Sequence, residues 1–240
     1  MRKKAEEAVE EGAEKIKQFA YSVSHDLKNP IIGINLLTQA LHRNYKDLLD
    51  EKGKNHCDLI LKASEQLATL VEQINVYIST KEAPQIIETV NSNQVFDTVR
   101  DEFSDQILVR QISWTQPEKL LEINVDRLSI LRVIRNFVDN ALKYGGDELS
   151  EIEIGYEESD EFHILSIKDD GIGIDEKDSK NIFHPFVRSV ASMGIDGTGL
   201  GLAIVNEIAN QHMGKAWGEF GLEKGVIFYI SISKDLRLTN

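Results

Sequence analysis

The sequence predicts an α-helical hairpin, a four-helix bundle once two copies pair, followed by an α/β sandwich. Three observations carry this. Apolar residues recur at alternating three- and four-residue steps through two long stretches, the heptad pattern of helices packed on partner helices. Ala83-Pro84 then breaks the pattern. Beyond it, short strand-like segments mix with helix-length ones, the order expected of helices laid over one face of a mixed sheet. The domain boundaries read from this are 1–83 and 84–240.

Residues 1 to about 46 read as one long helix, kinked at Pro30, whose ring lacks an N–H and clashes with the preceding turn. Its seam is Val9, Ala13, Ile16, Ala20, Val23 and Leu27, continued by Ile31, Ile34, Leu37 and Leu41. The polar stretch KDLLDEKGKN follows, with Gly53 as the turn signal. A second helix, about Asn55 to Lys81, carries Ile60, Ala63, Leu67, Leu70, Ile74 and Tyr77. A hairpin with one seam per helix cannot bury both seams alone, and pairing two hairpins solves that, so a homodimer is expected. The alternative is an intramolecular bundle docked on the rest of the chain. Downstream, 91–103 reads as a helix with Asn or Ser caps, 107–114 as a strand and 126–144 as a long helix. Residues 152–156 and 163–168 alternate as strands around the turn EESDE. Residues 198–211 read as a helix and 226–233 as a final strand.

The chain has 240 residues, 41% hydrophobic and 28% charged, enough for one or two soluble cores. A net charge of −13 argues against a nucleic-acid surface. The single cysteine, Cys57, rules out an intrachain disulfide and fits a reducing cytoplasm. No apolar run approaches the roughly 20 residues that cross a bilayer, so no membrane contact is expected of this segment. MRKKAEEAVEEG is charged throughout and is no signal peptide. His42, His56, His163, His184 and His212 show no paired ligand spacing, and Cys57 beside His56 is too little for zinc.

His25-Asp26-Leu27-Lys28-Asn29-Pro30 lies on the first helix. At about 100° per residue, His25 sits roughly 160–200° from both Val23 and Leu27, which turns it towards water. A neutral imidazole is a nucleophile, and its ordinary pKa of about 6.5 keeps much of it neutral. Asp26 can hold a ring proton, fix the tautomer and act as base, or the segment is a surface histidine beside a solvated aspartate and an accidental proline. Asn29, one turn on, cannot take a proton but can orient a water.

Four later segments carry chemistry. Asn136, Asn140, Lys143 and Tyr144 share one helix face. Amide oxygens and a lysine suit Mg²⁺ and phosphate, although a solvated face is the plainer reading of an isolated helix. Asp169-Asp170-Gly171-Ile172-Gly173 follows a strand. A carboxylate there can accept a hydrogen bond from an exocyclic amine such as that of adenine, or the segment is an ordinary strand exit. In NIFHPFVR, Phe183 and Phe186 pack either a lid or the core, and Arg188 can neutralise a transferred phosphoryl group. Gly197-Thr198-Gly199-Leu200-Gly201 runs into a helix, whose first N–H groups bind phosphate. It has no GK[ST], no dinucleotide glycine spacing, and the chain has no HRDxxxxN.

FAYSVSHDLKNPI, residues 19–31, resembles the phosphoacceptor box of sensor histidine kinases of two-component systems. The four later segments resemble, in order, that family's N, first glycine, F and second glycine boxes, whose α/β sandwich is shared with gyrase and chaperone ATPases. The resemblance covers essentially residues 1–235. It implies Mg-ATP-dependent phosphorylation of His25 with Asp26 as base, transfer to an aspartate of a response regulator receiver domain, and dephosphorylation of that regulator through Asn29. It also implies Mg²⁺ on Asn140 with Asn136 in support, phosphate on Lys143, and Tyr144 beside the nucleotide. Asp169 would read adenine, and Gly171, Gly173, Gly197, Thr198, Gly199, Leu200 and Gly201 would shape the pocket. Arg188 would meet the γ-phosphate, under a lid of about 175–196. Two positions depart from the usual pattern. His212-Met213-Gly214 stands for the common His-Gly-Gly, which touches only a turn, and Asn29 stands where many members have threonine. ATP hydrolases of the same fold place a glutamate base where this chain has Asn136, and an amide cannot be a base. A scaffold that binds nucleotide without transferring phosphate is the other rival.

Overall fold

The computed structural model describes residues 2–119, 122–177, 179–188, 195 and 197–239, with side chains from Ser22 onward except His25. It divides into two compact units, Met1–Ser79 and Thr80–Asn240.

The first unit is a helical hairpin. α1 spans Arg2–Tyr45 and continues through Pro30. α2 spans Glu51–Glu82, of which the residues up to Ser79 belong to this unit. α2 starts earlier than Gly53 suggested. Asp50 accepts the Gly53 N–H at 2.8 Å and so caps the helix, and the turn falls at residues 46–49 instead. Asn35 donates to the Ser64 hydroxyl at 3.0 Å, and His42 lies 3.8 Å from Asp58, which sets an antiparallel pairing. Among the described residues, those buried within the hairpin are Ser24, Ile31 and Thr38 on α1 and Cys57, Ser64 and Val71 on α2. Both rows have heptad spacing, yet most members are small or polar. Of the larger residues of the expected seam, Ile31 is buried and Leu70, Ile74 and Tyr77 are half-buried, whereas Leu27, Ile34, Leu37, Leu41, Ile60 and Leu67 are exposed. Two helices bury only the stripes that face each other, and the stronger apolar stripe lies outside the hairpin. The expected seam positions Val9, Ala13, Ile16 and Ala20, and the orientation of the His25 ring, lie outside the described side chains.

The second unit is an α/β sandwich. β1 (Ile87–Asn91) pairs antiparallel with β3 (Glu122–Asp126) in a two-stranded sheet. β2 (Ser113–Thr115), β4 (Glu151–Glu158), β5 (Phe162–Asp169), β7 (Val226–Ser233) and β6 (Ala216–Glu219) form a mixed sheet in that order, with only β2–β4 parallel. The helices are α3 (Ser92–Glu102), α4 (Ser104–Val109), α5 (Arg127–Tyr144) and α6 (Gly201–Gln211). β4 alternates, with Ile152 and Ile154 buried and Glu151 and Glu153 turned away, the pattern of a sheet covered on one face. Across from it, Ile130, Val133, Ile134, Phe137 and Val138 of α5 are all fully buried. Phe137 stacks on Phe228 of β7 at 5.3 Å, joining helix and sheet beneath the site.

Asn91 caps α3 and Asp126 caps α5, each side chain accepting a first-turn N–H. The strand expected over 107–114 is instead α4 followed by a turn and the three-residue β2. Ile112 N–H bonds the Ile107 carbonyl and Gln111 N–H the Leu108 carbonyl, with Gln111 at φ 55°. These bonds close the helix in a Schellman motif, with glutamine where glycine is usual. β1, β3 and β6 have no counterpart among the expected elements. α6 begins at Gly201 rather than Thr198, because Gly199 at φ +72° is left-handed and cannot be helical.

Candidate functional site

The C-terminal turn of α5, the exit of β5 and the entry to α6 converge. Asp169 ends β5 and is buried. Its carboxylate accepts the Gly171 N–H at 3.0 Å and a backbone bond from Val226. Burial, with Asp170 beside it, raises its pKa against those two bonds. Asp170 points the other way. It accepts the Ser150 N–H and the Glu151 N–H at 2.8 Å and the Ser150 hydroxyl at 2.5 Å, tying down the start of β4. Burial pushes its pKa up, but the Ser150 and Glu151 bonds outweigh it and leave the pKa lowered. The two adjacent carboxylates are thus divided between a buried acceptor and a structural anchor.

Gly171 touches the end of α5. A Cβ on it would run into Gly145, 2.6 Å from the carbonyl oxygen, and the Ile172 N–H bonds that same oxygen at 3.0 Å. Gly173 approaches the Gly225 carbonyl, where a Cβ would stand at 2.9 Å. Gly225 donates its N–H to the Gly171 carbonyl at 2.7 Å. Gly145 and Gly225 are therefore parts of the site that the sequence reading missed. Gly145 follows Tyr144 directly, and a glycine just past a helix end was the available signal.

The helix face meets the second glycine segment at two points. The Tyr144 hydroxyl occupies the space a Cβ on Gly197 would need, and Asn136 Oδ1 stands 2.6 Å from where a Cβ on Gly201 would be. Asn136 Nδ2 donates to the Arg132 carbonyl at 2.8 Å, so its amide is committed to packing. Asn140, one turn on, is half-buried, and its amide makes no hydrogen bond among the described residues. A hard oxygen of this kind fits Mg²⁺. Lys143 Nζ pairs with Asp139 Oδ2 at 2.6 Å. Leu200 is fully buried, and Thr198 Oγ1 accepts its N–H at 3.3 Å, fixing the entry to α6.

Gly199 accepts the Phe186 N–H at 2.9 Å, which joins the entry of α6 to the NIFHPFVR segment. Phe183 lies edge-on to Phe228 at 6.2 Å, whereas Phe186 is 61% exposed and left-handed at φ 62°. The two phenylalanines therefore differ, one packed and one outside. Arg188 donates to the Ile195 carbonyl at 2.5 Å. Of the expected lid, residues 178, 189–194 and 196 lie outside the described residues.

His212 is fully buried. Its Nε2 accepts the Asp126 N–H at 3.2 Å, which leaves the ring proton on Nδ1, 2.8 Å from the Ile208 carbonyl. Burial lowers its pKa, against the Ile208 bond and the Asp126 charge. Met213 follows at φ 54°, the left-handed residue of a Schellman motif in which Gly214 N–H bonds the Ala209 carbonyl. In the first unit, Asp26 and Asn29 are exposed on α1 on either side of the Leu27-Lys28 pair, and His25 lies in the same helix.

Residues 15–79 match the His Kinase A (phospho-acceptor) domain, and residues 125–236 match the histidine kinase-, DNA gyrase B- and HSP90-like ATPase family. The phytochrome-like protein Cph1 of Synechocystis sp. is 28% identical over 90% of this chain and 29% of its own length. The sensor histidine kinase WalK of Bacillus subtilis is 28% identical over 85% of this chain and 34% of its own. The chain thus spans about a third of the curated relatives it matches. Histidine kinase ThkA, solved in complex with response regulator protein TrrA, superposes with a TM-score of 0.65 at 27% identity, covering 97% of this chain and 66% of that one. The ThkA catalytic domain alone is 30% identical, with a TM-score of 0.54 over 62% of this chain and 97% of that one. With a phospho-acceptor hairpin and an ATPase sandwich matched in sequence and in fold, in this order, the chain belongs to the sensor histidine kinases.

Proposed function

We propose that this chain is a kinase core that binds Mg-ATP in its second unit, phosphorylates His25 and passes the phosphoryl group to an aspartate of a response regulator receiver domain. The observation that carries the reading is the convergence of Asp169, the α5 face and the entry to α6 around one set of glycine contacts. Asp169 spends two acceptor positions on Gly171 and Val226, and a carboxylate has about four, which leaves room for the adenine amine. The N–H groups opening α6 and the ammonium of Lys143 face phosphate oxygens, Lys143 exchanging or sharing its Asp139 partner. Arg188 supplies positive charge at the γ-phosphate. Asn140 would hold Mg²⁺, which supplies further neutralisation of the triphosphate, and Asn136 supports the helix beside it. Phosphoryl transfer depends on positioning and charge neutralisation, and this set provides both.

At the acceptor, a ring nitrogen of His25 forms the new N–P bond as ADP leaves, and Asp26 takes the ring proton. Asn29 orients a water that hydrolyses the regulator's phosphoaspartate, a second activity of the same helix. The exposed row from Leu27 to Leu41 on α1, with Ile60 and Leu67 on α2, supports a homodimer through the hairpin. ThkA, a relative, has been solved with a response regulator, which supports that partner. No helix among the described residues is long and apolar enough to cross a membrane, and ATP as substrate puts the proposed reaction in the cytoplasm.

Incubation with γ-³²P-ATP and Mg²⁺ tests the reading. Acid-labile, alkali-stable label on the protein is the expected result. ATP turnover with no label would make the chain a hydrolase, and ATP binding with neither would make it a scaffold.

A further inference from the structure

We infer that Arg110 is a positioning residue for the nucleotide site, clamping the last turn of α5 from behind. This rests on the nucleotide reading proposed above. Arg110 ends α4, where the left-handed Gln111 reverses the chain. Its Nη1 donates to the Leu142 carbonyl at 2.6 Å and its Nη2 to the Gly146 carbonyl. The Leu142 carbonyl belongs to the final turn of α5, where helix carbonyls have no partner within the helix. A cation there also meets the negative end of the helix dipole.

The two clamped carbonyls bracket Lys143, Tyr144 and Gly145. Each of these reaches a different part of the site. Lys143 lies on the proposed phosphate face, the Tyr144 hydroxyl rests against Gly197, and the Gly145 carbonyl accepts the Ile172 N–H at 3.0 Å against Gly171. One guanidinium therefore sets the height of the turn on which the α5 face and both glycine segments depend. A planar fork bridges two carbonyls at once, and a lysine ammonium is a single point charge that does not reproduce this.

The test compares wild type, Arg110→Lys, Arg110→Met and Arg135→Met. The last removes an exposed arginine of α5 that pairs with Glu102 at 2.7 Å, away from the C-terminal turn of that helix. Affinity for a non-hydrolysable ATP analogue with Mg²⁺, KM and kcat of self-phosphorylation, and hydrogen exchange of the Ile172 amide are measured well below each variant's Tm. Arg110→Met is expected to raise Kd and KM about tenfold, within the hundredfold that a 1 Å misplacement can cost. Its kcat should change far less, the signature of lost binding felt equally in ground and transition state. Ile172 should exchange faster, Arg110→Lys should recover only part, and Arg135→Met should leave affinity unchanged. Wild-type affinity together with wild-type exchange in Arg110→Met would overturn the inference, as would an equal loss in Arg135→Met. If wild type itself binds no nucleotide, the nucleotide reading fails, while Ile172 exchange still decides whether Arg110 holds the turn.

Discussion

Replacing Gly171 with alanine places a methyl group against the end of α5. The new Cβ would run first into the Gly145 Cα and would lie 2.6 Å from its carbonyl oxygen and 2.9 Å from its carbonyl carbon, where ordinary contact begins near 3.4 Å. The β5 exit and the helix end must therefore separate by about 1 Å. Neither side gives easily, because both contacts are backbone. That separation strains the Ile172 bond to Gly145 at 3.0 Å and the Gly225 bond to Gly171 at 2.7 Å. Overpacking of this kind costs about 1–3 kcal/mol, and one lost hydrogen bond adds about 0.5–1.5 kcal/mol. A total of roughly 1.5–4.5 kcal/mol lowers the Tm of a domain of this size by roughly 3–18 °C. A shift approaching 1 Å in a binding constellation also weakens function by up to about a hundredfold. Thermal unfolding followed by the Trp and Tyr fluorescence of residues 80–240, together with nucleotide titration, reads both effects. A Gly171→Ala protein that melts within 1 °C of wild type and binds ATP equally well would refute the close-approach argument.

Asn140→Ala should weaken Mg-dependent nucleotide binding roughly 10- to 100-fold, the range of one charge-assisted contact, with little change in Tm. Titration with and without Mg²⁺ checks this, and an equal affinity in both proteins would remove Asn140 as the magnesium ligand. Burial of the His212 ring lowers its pKa, so as pH falls the unfolded chain takes up the proton first. The stability tied to the neutral ring is complete above the ordinary histidine value of about 6.5 and is lost as pH falls towards the lower folded value. His212→Gln should therefore be less stable at pH 7.5 but show a shallower fall in Tm between pH 7 and pH 5. Parallel Tm curves for the two proteins would contradict that. Asn29→Ala should keep self-phosphorylation within about twofold while slowing regulator dephosphorylation by tenfold or more, the scale of lost general assistance to water. Equal loss of both activities would dissolve the division of labour between His25 and Asn29.

Long periodic segments were legible in the sequence. α1, α2, α5 and α6 announce themselves by apolar stripes, and Asn91 and Asp126 mark starts that the structure realises as side-chain caps. Short strands were not. β1, β3 and β6 have four or five residues each, too few for a period to stand out, and β1 finds β3 only across the intervening α3, α4 and β2. ILVRQISW is rich in strand formers, yet only its last two residues enter a strand and the rest folds as helix and turn, because Gln111 adopts a left-handed φ that its residue type does not advertise. The hairpin seam was visible as a pattern, but not which stripe faces inward. Small buried residues such as Ser24 and Ser64 pack between the helices while Leu37 stands 74% exposed.

At the site, glycine spacing was legible because close backbone approach excludes a Cβ whatever surrounds it. Gly145 and Gly225 escaped notice because a glycine at a helix end or in a polar loop looks like any turn. Arg110 escaped because a side chain reaching the backbone of another helix leaves no local signature. His212 carried no neighbouring ligand, and only the fold brings Asp126 and Ile208 to its two ring nitrogens.

The most direct test of the central claim compares wild type with His25→Ala in γ-³²P-ATP and Mg²⁺, with ATP-analogue affinity measured in parallel. The account predicts acid-labile, alkali-stable label on wild type, none on His25→Ala, and equal nucleotide affinity in the two, since the acceptor and the ATP site lie in separate units. Label that persists on His25→Ala would move the acceptor elsewhere and contradict the account.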